Sequence, residues 1–403
     1  MFPSNLFKDK HILVGITGGI AAYKSAELIR YLVAAGTEVR VIMSRAAEKF
    51  IGPLTLETLS NNPVSTQLFP EQSFTGTHHV HLADWADAAI VVPASYNFIG
   101  KLHAGIADDL ITTIFAAVHC PTVIAPAMNV HMWNNRILQR NIKDLQSLKY
   151  LICPPEEGFL AEGYSGKGRL AQLNHMIQYV YKAIHPKPSS LKGKKVLITA
   201  GRNEESLDPV RVISNRSSGK MGFALAWEAF ARGAEVSLIH GPTSLSAPVN
   251  VKTNFAPTAE QMFREVKKQI KESDIYVSAA AISDYSPVNI SKTKIKKRKQ
   301  NLELSLKATP DILQYLGEHR QTHQKLIGFA VETDHAEKNA LTKLESKKLD
   351  MIVLNNPSEK GAGFDVDTNI VSMYHKNGHR ENLPTLPKLD TAFHIFRFLL
   401  ENN

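Results

Sequence analysis

Along this chain, short apolar, β-branched runs alternate with stretches whose apolar residues recur at helical spacing. The runs at residues 12–17, 38–44, 88–94, 122–128 and 149–153 predict a parallel sheet with helices on both faces. The organising stretch is His11 to Lys24, where Ile12 to Ile16 breaks at Thr17-Gly18-Gly19 and a helical pattern over 20–36 begins at once. A buried parallel strand reads this way when it turns directly into a helix. Small residues leave backbone N–H groups open there, and the helix dipole favours an anion, usually phosphate. The spacing of Gly15, Gly18 and Gly19 is not that of G-x-G-x-x-G, so a plain tight turn competes with a phosphate site. Two later runs enter Pro93-Ala94-Ser95 and Pro126-Ala127-Met128-Asn129. Ligands of open α/β sheets lie beyond the carboxyl ends of strands, so these two ends and Thr17-Gly18 are expected to converge.

The segment His185-Pro186-Lys187-Pro188-Ser189-Ser190 reads as a linker, without an apolar anchor. The strand–glycine pattern restarts at Lys194 to Gly201. Strands are predicted at 234–240, 275–282, 326–333 and 350–355, and helices at 219–232, 258–272, 310–319 and 335–349. Two domains, residues 1–188 and 189–403, are expected, each long enough to bury a core.

Composition changes this picture in two respects. Cys120 and Cys153 cannot build a disulfide framework, and neither a signal core nor a bilayer-spanning run is found. A cytoplasmic protein without membrane partners is expected. Charge is uneven: residues 1–185 carry 15 Lys+Arg against 14 Asp+Glu, and residues 186–403 carry 32 against 24. Lys292, Lys294, Lys296, Lys297, Arg298 and Lys299 concentrate the excess in one loop. A nucleic-acid binder spreads its basic residues over a face and interleaves aromatics, so a small polyphosphate fits better.

Candidate chemistry falls in both halves. His78-His79-Val80-His81, if extended, puts His79 and His81 on one side; one histidine as acid or base fits better than a metal pair, because no cysteine lies close by. Asn129 offers an amide that donates and accepts, or a helix cap. Residues 158–169, GFLAEGYSGKGR, read as a mobile loop suited to an active-site flap, or as an ordinary surface loop. In the second half, Ile213 to Gly222 resembles a phosphate cradle but lacks the first glycine of a Walker A motif. Asp284 is placed to hold Mg²⁺ on a triphosphate, or to cap a helix. The lysine loop facing it, with Lys343 and Lys347 four apart on one helix face, would make a polyphosphate clamp.

Taken together, these motifs resemble the bifunctional coenzyme A biosynthesis flavoproteins, which fuse a phosphopantothenoylcysteine decarboxylase to a phosphopantothenate–cysteine ligase. The likeness runs through GITGGIAAYK, HVHLADWAD, PAMN, GKGR, DPVRVISNRSSGKMG, AAAISDY, KIKK, PDIL and GFAVET, in the family's order and over nearly the whole chain. It implies two Rossmann-like α/β domains, FMN in the first, and CTP with Mg²⁺ in the second. The flavin would lie on Gly15, Thr17, Gly18, Gly19, Ile20, Ser44, Pro93, Ala94, Ser95 and Met128. Carried over by motif, the decarboxylase histidine falls on His79 and the substrate-gripping asparagine on Asn129. The ligase residues fall on Asn215, Arg211 and Lys294. The nucleotide contacts fall on Ser278, Ala279, Ala280, Asp284, Lys294, Pro310, Asp311, Ile312, Leu313, Phe329, Lys343 and Lys347, with Asp284 as the metal ligand.

What the resemblance implies is a cytoplasmic homo-oligomer, with flavoprotein-domain trimers and ligase-domain dimers. Its substrates would be 4′-phosphopantothenate, L-cysteine and CTP, joined through an acyl cytidylate; FMN-dependent decarboxylation of the product would then yield 4′-phosphopantetheine. Two departures stand out. Many members carry A-C-G in the flap, with the cysteine as proton donor; here Ala161-Glu162-Gly163 puts Glu162 there. The turn after the first ligase strand, often G-P-T or G-G-T, is Gly201-Arg202-Asn203. Loss of the cysteine leaves open an enzyme that halts at the enethiol. A non-catalytic regulatory subunit is the further rival, disfavoured because His79, Asn129 and Lys294 are all present.

Overall fold

The computed structural model describes residues 2–69, 77–296, 302–332, 334–355, 363 and 366–402. They form two compact units, Asn5–Pro186 and Lys187–Asn403, the second also including Phe2–Ser4. Phe2 is buried edge-on against Trp227 at 5.4 Å, and Ser4 donates to Asp390.

In the first unit, β1 (His11–Ile16), β2 (Glu38–Met43), β3 (Val64–Ser65), β4 (Ala88–Ala94), β5 (Thr122–Pro126) and β6 (Leu151–Ile152) form one parallel sheet. Its order is β3-β2-β1-β4-β5-β6. Strands β4 and β5 are buried at every position, which is why they read as continuous apolar runs rather than alternating ones. Leu13, Val91, Phe98, Phe115 and Ile124 belong to the core. Chain direction across the sheet reverses between β1 and β4, which opens a crevice at their carboxyl ends.

Three expectations are corrected here. The helical pattern over 20–36 begins as a 3₁₀ turn, Ile20–Lys24, and becomes α-helical only over Ser25–Ala34. The histidine segment is not extended but helical, His78–Trp85. Its core anchors are Leu82 and Ala83, so His79, three and four residues earlier, shares their face and turns inward. The glycine-rich loop is a hairpin, β7 (Glu156–Phe159) against β8 (Ser165–Arg169).

The second unit repeats the plan. Its strands are β9 (Lys195–Ala200), β10 (Glu204–Ser206), β11 (Val212–Ser214), β12 (Glu235–His240), β13 (Lys252–Phe255), β14 (Ile275–Ser278), β15 (Tyr285–Pro287) and β16 (Leu306–Ala308). They continue with β17 (Lys325–Val331), β18 (Met351–Asn355), β19 (Thr368–Asn369), β20 (Val371–His375), β21 (Arg380–Asn382) and β22 (Leu386–Pro387). The main sheet runs β13-β12-β9-β14-β17-β18-β20-β21, with only the last two pairings antiparallel. The order again reverses between β9 and β14. The strand expected over 275–282 stops at Ser278, and β20, β21 and the C-terminal helix Lys388–Glu401 extend the α/β plan beyond the last predicted strand. Among the described residues no helix is long and apolar enough to cross a membrane.

Candidate active sites

At the reversal in the first unit, Thr17 holds the crevice together. Its buried hydroxyl donates to the Pro93 carbonyl at 2.7 Å and accepts from the Ser95 amide at 2.8 Å. The Ala127 amide donates to Ala94 O at 3.2 Å, so the three strand ends do converge. Ser95 also caps the helix Tyr96–Ala104. The glycines divide by role. A Cβ on Gly18 would stand 2.4 Å from that of Ala46, whereas one on Gly19 would meet nothing within 4 Å. Gly18 thus permits close approach, and Gly19 faces open space at the mouth of the turn. Gly15 is corrected: it lies inside β1, where a Cβ would press on Phe115 at 3.0 Å and Ile111 at 3.1 Å, so it serves packing. Ser44 follows β2, its hydroxyl accepting from the Ala47 amide at 3.3 Å; Ile20 is exposed.

Nδ1 of His79 is buried with no hydrogen-bond partner among the described residues. Asn129 does cap the short helix Val130–Trp133, Oδ1 accepting from the His131 amide at 2.8 Å, while its Nδ2 donates to the Tyr164 hydroxyl. Tyr164 comes from the β7–β8 turn and was not anticipated; a lone tyrosine among glycines carries no pattern. The hairpin seats on this strand end, since the Met128 amide donates to Gly168 O at 3.0 Å. Glu162 sits at the tip of the turn and is exposed. Cys153 does not substitute for the missing flap thiol: it is fully buried, and burial pushes it well up. No group of three or more metal-ligating side chains occurs among the described residues.

In the second unit a cavity of about 680 Å³ opens at the β9–β14 reversal. Asn215, Ser278, Ala279, Ala280, Asp284, Pro310, Asp311, Ile312, Leu313, Phe329, Lys343 and Lys347 all line it. Ser217, Ser218, Lys220, Thr309 and Lys388 join them. Backbone bonds Ala279 N to Thr199 O (3.0 Å) and Ala281 N to Gly201 O (2.8 Å) carry the 279–284 segment past the sheet. Asn215 donates to Ala281 O at 2.9 Å. The departing residue Asn203 is fully buried and accepts from the Ser283 amide at 2.7 Å, so the altered turn braces the segment leading to Asp284.

The clamp is built differently from the expectation. Lys347 pairs with Asp311 at 2.8 Å and Lys343 with Glu332 at 2.5 Å. Burial opposes the charge of Asp311, but the Lys347 ammonium and the Gln314 amide hold its carboxyl below the ordinary range. Lys347 follows the helix Ala336–Ser346 rather than lying within it. Neither Arg211 nor Lys294 lines the cavity. Lys292, Lys294 and Lys296 are exposed; Lys297, Arg298 and Lys299 lie outside the described residues. The segment before them is docked on the 207–211 turn, with Ser291 N donating to Leu207 O at 3.0 Å. Asp208 anchors it: the Ile295 amide foremost, with the Arg211 guanidinium and two turn amides, holds this carboxyl far below the usual range despite burial.

The flavoprotein family model matches residues 3–185, and that of the DNA/pantothenate metabolism flavoprotein C-terminal domain matches residues 191–402. The coenzyme A biosynthesis bifunctional protein CoaBC of Bacillus subtilis (strain 168) is 44% identical over 395 residues, 97% of each chain. The chain belongs to this bifunctional coenzyme A biosynthesis family. The same-named protein of Haemophilus influenzae is 42% identical over 394 residues, again 97% of each. A solved C-terminal domain of a family member is 38% identical over 53% of this chain and 97% of that one, at a TM-score of 0.46. Family membership makes the chain a bifunctional enzyme of coenzyme A biosynthesis, with decarboxylase and ligase activity.

Proposed function

We propose that the second unit joins L-cysteine to 4′-phosphopantothenate at the expense of CTP, and that the first decarboxylates the product with FMN to 4′-phosphopantetheine. The observation that carries the ligase half is the cavity at the β9–β14 reversal, lined by every expected nucleotide contact except Lys294. The phosphates would lie along Lys343 and Lys347 and against the hydroxyls of Ser217 and Ser218, where lysine charge offsets theirs. Asp284 would hold Mg²⁺, which would offset charge on the phosphates; a single carboxylate suits an ion not bound by an all-protein cage. The carboxylate of 4′-phosphopantothenate would attack the α-phosphate and release pyrophosphate; cysteine's amine would then displace CMP, with Asn215 holding the acyl group. The full chain given both substrates, CTP and Mg²⁺ should release pyrophosphate and CMP together. Release of neither refutes the assignment.

In the first unit, Gly19's open face, the strand ends joined by the Thr17–Ser95 hydrogen bond and the unpartnered Nδ1 of His79 fit a phosphate-bearing flavin with its substrate. Bound FMN supplies reversible two-electron chemistry at the cysteinyl carbon and sulfur. The chain's residues bind and orient: Asn129 grips the substrate carboxylate, and the β7–β8 hairpin closes over it. The assembly that the family resemblance implies, trimers of this unit and dimers of the ligase, belongs to the same reading.

Glu162 would donate the last proton once the hairpin closes over the substrate and excludes water. Glu162→Gln should then consume substrate and release CO₂, while accumulating a product two hydrogens lighter than 4′-phosphopantetheine, separable by mass spectrometry. Parent-rate formation of 4′-phosphopantetheine by this variant would assign the proton to another group. An unmutated enzyme yielding only the lighter product establishes the early-halting reading, which the exposure of Glu162 favours.

A further inference from the structure

The described lysines of the loop, Lys292, Lys294 and Lys296, do not line the cavity, and one buried side chain fixes the backbone beside them. Asp208 is 2% exposed, and its two oxygens do different work. Oδ1 accepts from the amides of Val210 (2.8 Å) and Arg211 (2.9 Å), closing the local turn between β10 and β11. Oδ2 accepts from Arg211 Nε (3.0 Å), Arg211 Nη2 (2.6 Å) and the Ile295 amide (3.0 Å). Arg211 Nη2 also donates to the Ile295 carbonyl at 2.5 Å. Both backbone groups of Ile295, the residue next to Lys294, therefore end on the Asp208–Arg211 pair. The same turn leads through β11 to Asn215 on the cavity wall.

We propose that Asp208 is a positioning residue for ligation: through Oδ2 it fixes the root of the Lys294 segment, setting the arc over which the Lys294 ammonium reaches phosphate in the cavity. A loop that must close on a triphosphate has many unproductive conformers, and tying its root to the turn that carries Asn215 removes most of them. Arg211 is the bridge in this arrangement, its guanidinium spent on Asp208 and Ile295 rather than on the cavity. The proposal rests on the ligase reading and on Lys294 acting at phosphate.

Asp208→Asn in the full-length chain tests it selectively. The amide oxygen can keep the Oδ1 bonds, whereas an NH₂ in place of Oδ2 turns three donors onto a donor. Hydrogen exchange over residues 291–296 should quicken about tenfold or more, the worth of a charge-assisted bond. Ligation kcat should fall about tenfold or more, KM for CTP should stay within about threefold, and decarboxylation of supplied substrate should be unchanged. Glutamate at 208 should restore part of the rate, because it keeps the charge.

Unchanged exchange overturns the proposal, since Oδ2 then does not hold the loop. Faster exchange with parent kcat also overturns it, provided Lys294→Gln is inactive; the ligase reading survives that outcome. Parent-rate ligation by Lys294→Gln overturns the reading of Lys294 and the proposal with it. Loss of both activities in Asp208→Asn marks a folding defect, and unchanged ligation by the glutamate variant with normal exchange then overturns any need for the native geometry.

Discussion

Lys294→Gln is expected to slow ligation at least a hundredfold while decarboxylation of supplied 4′-phosphopantothenoylcysteine proceeds at the parent rate. Lys294 is exposed and outside the cavity lining, beside a backbone docked on the Asp208 turn. Its charge is therefore not part of the preformed wall and, on the proposed reading, would act when the loop closes on phosphate. An interaction realised late in the reaction is lost from kcat rather than from ground-state binding. A hundredfold corresponds to about 2.7 kcal/mol, the magnitude found when one donor to a developing charge is removed. Pyrophosphate release measured against CTP concentration checks both the size and the kinetic split. A rise in KM with kcat preserved would place Lys294 in ordinary nucleotide binding. Equal loss of both activities would indicate misfolding.

Gly168→Ala should have the opposite signature, with decarboxylation lost and ligation kept. Gly168 has φ of 153°, and an added Cβ would lie 2.2 Å from the Met128 carbonyl oxygen. That oxygen belongs to backbone, so no flexible side chain can yield. The Met128 amide is at the same time bonded to Gly168 O, so pushing the strands apart breaks the contact that seats the hairpin beside Asn129. Strain plus the lost bond should cost on the order of 3 kcal/mol, enough to unseat the hairpin. Flavin content per chain and the decarboxylation rate read the result, and ligation serves as the internal control. Parent-rate decarboxylation by this variant would show that the hairpin works without its seat on Met128.

Much of the architecture is legible before any coordinates. The strand–small residue–helix transition at Thr17 and the strand–glycine turn at Gly201 each lie within a few residues of chain, and buried parallel strands advertise themselves as unbroken apolar runs. Strand-end chemistry follows, because parallel strands connected by helices bring their carboxyl ends to one edge. Thr17 and Ser95 could thus be assigned to a common site from their places after strands, whereas Ser278 and Pro310 followed from the family resemblance alone.

Other features had no local trace. His79 turns inward because Leu82 and Ala83 find the core and impose helical phase on a segment that also alternates like a strand. Tyr164 meets Asn129 only because the hairpin folds back over the Met128 strand end. Asp208 and Ile295 are joined across the length of five strands and their connections, so neither neighbourhood signals the other. Lysine clustering suggested a clamp facing Asp284, yet charge density says nothing about where a loop is rooted. Periodicity reports which face of an element is buried; a buried carboxylate's choice among distant donors depends on which of them the packed chain brings within 3 Å, and that follows from the fold.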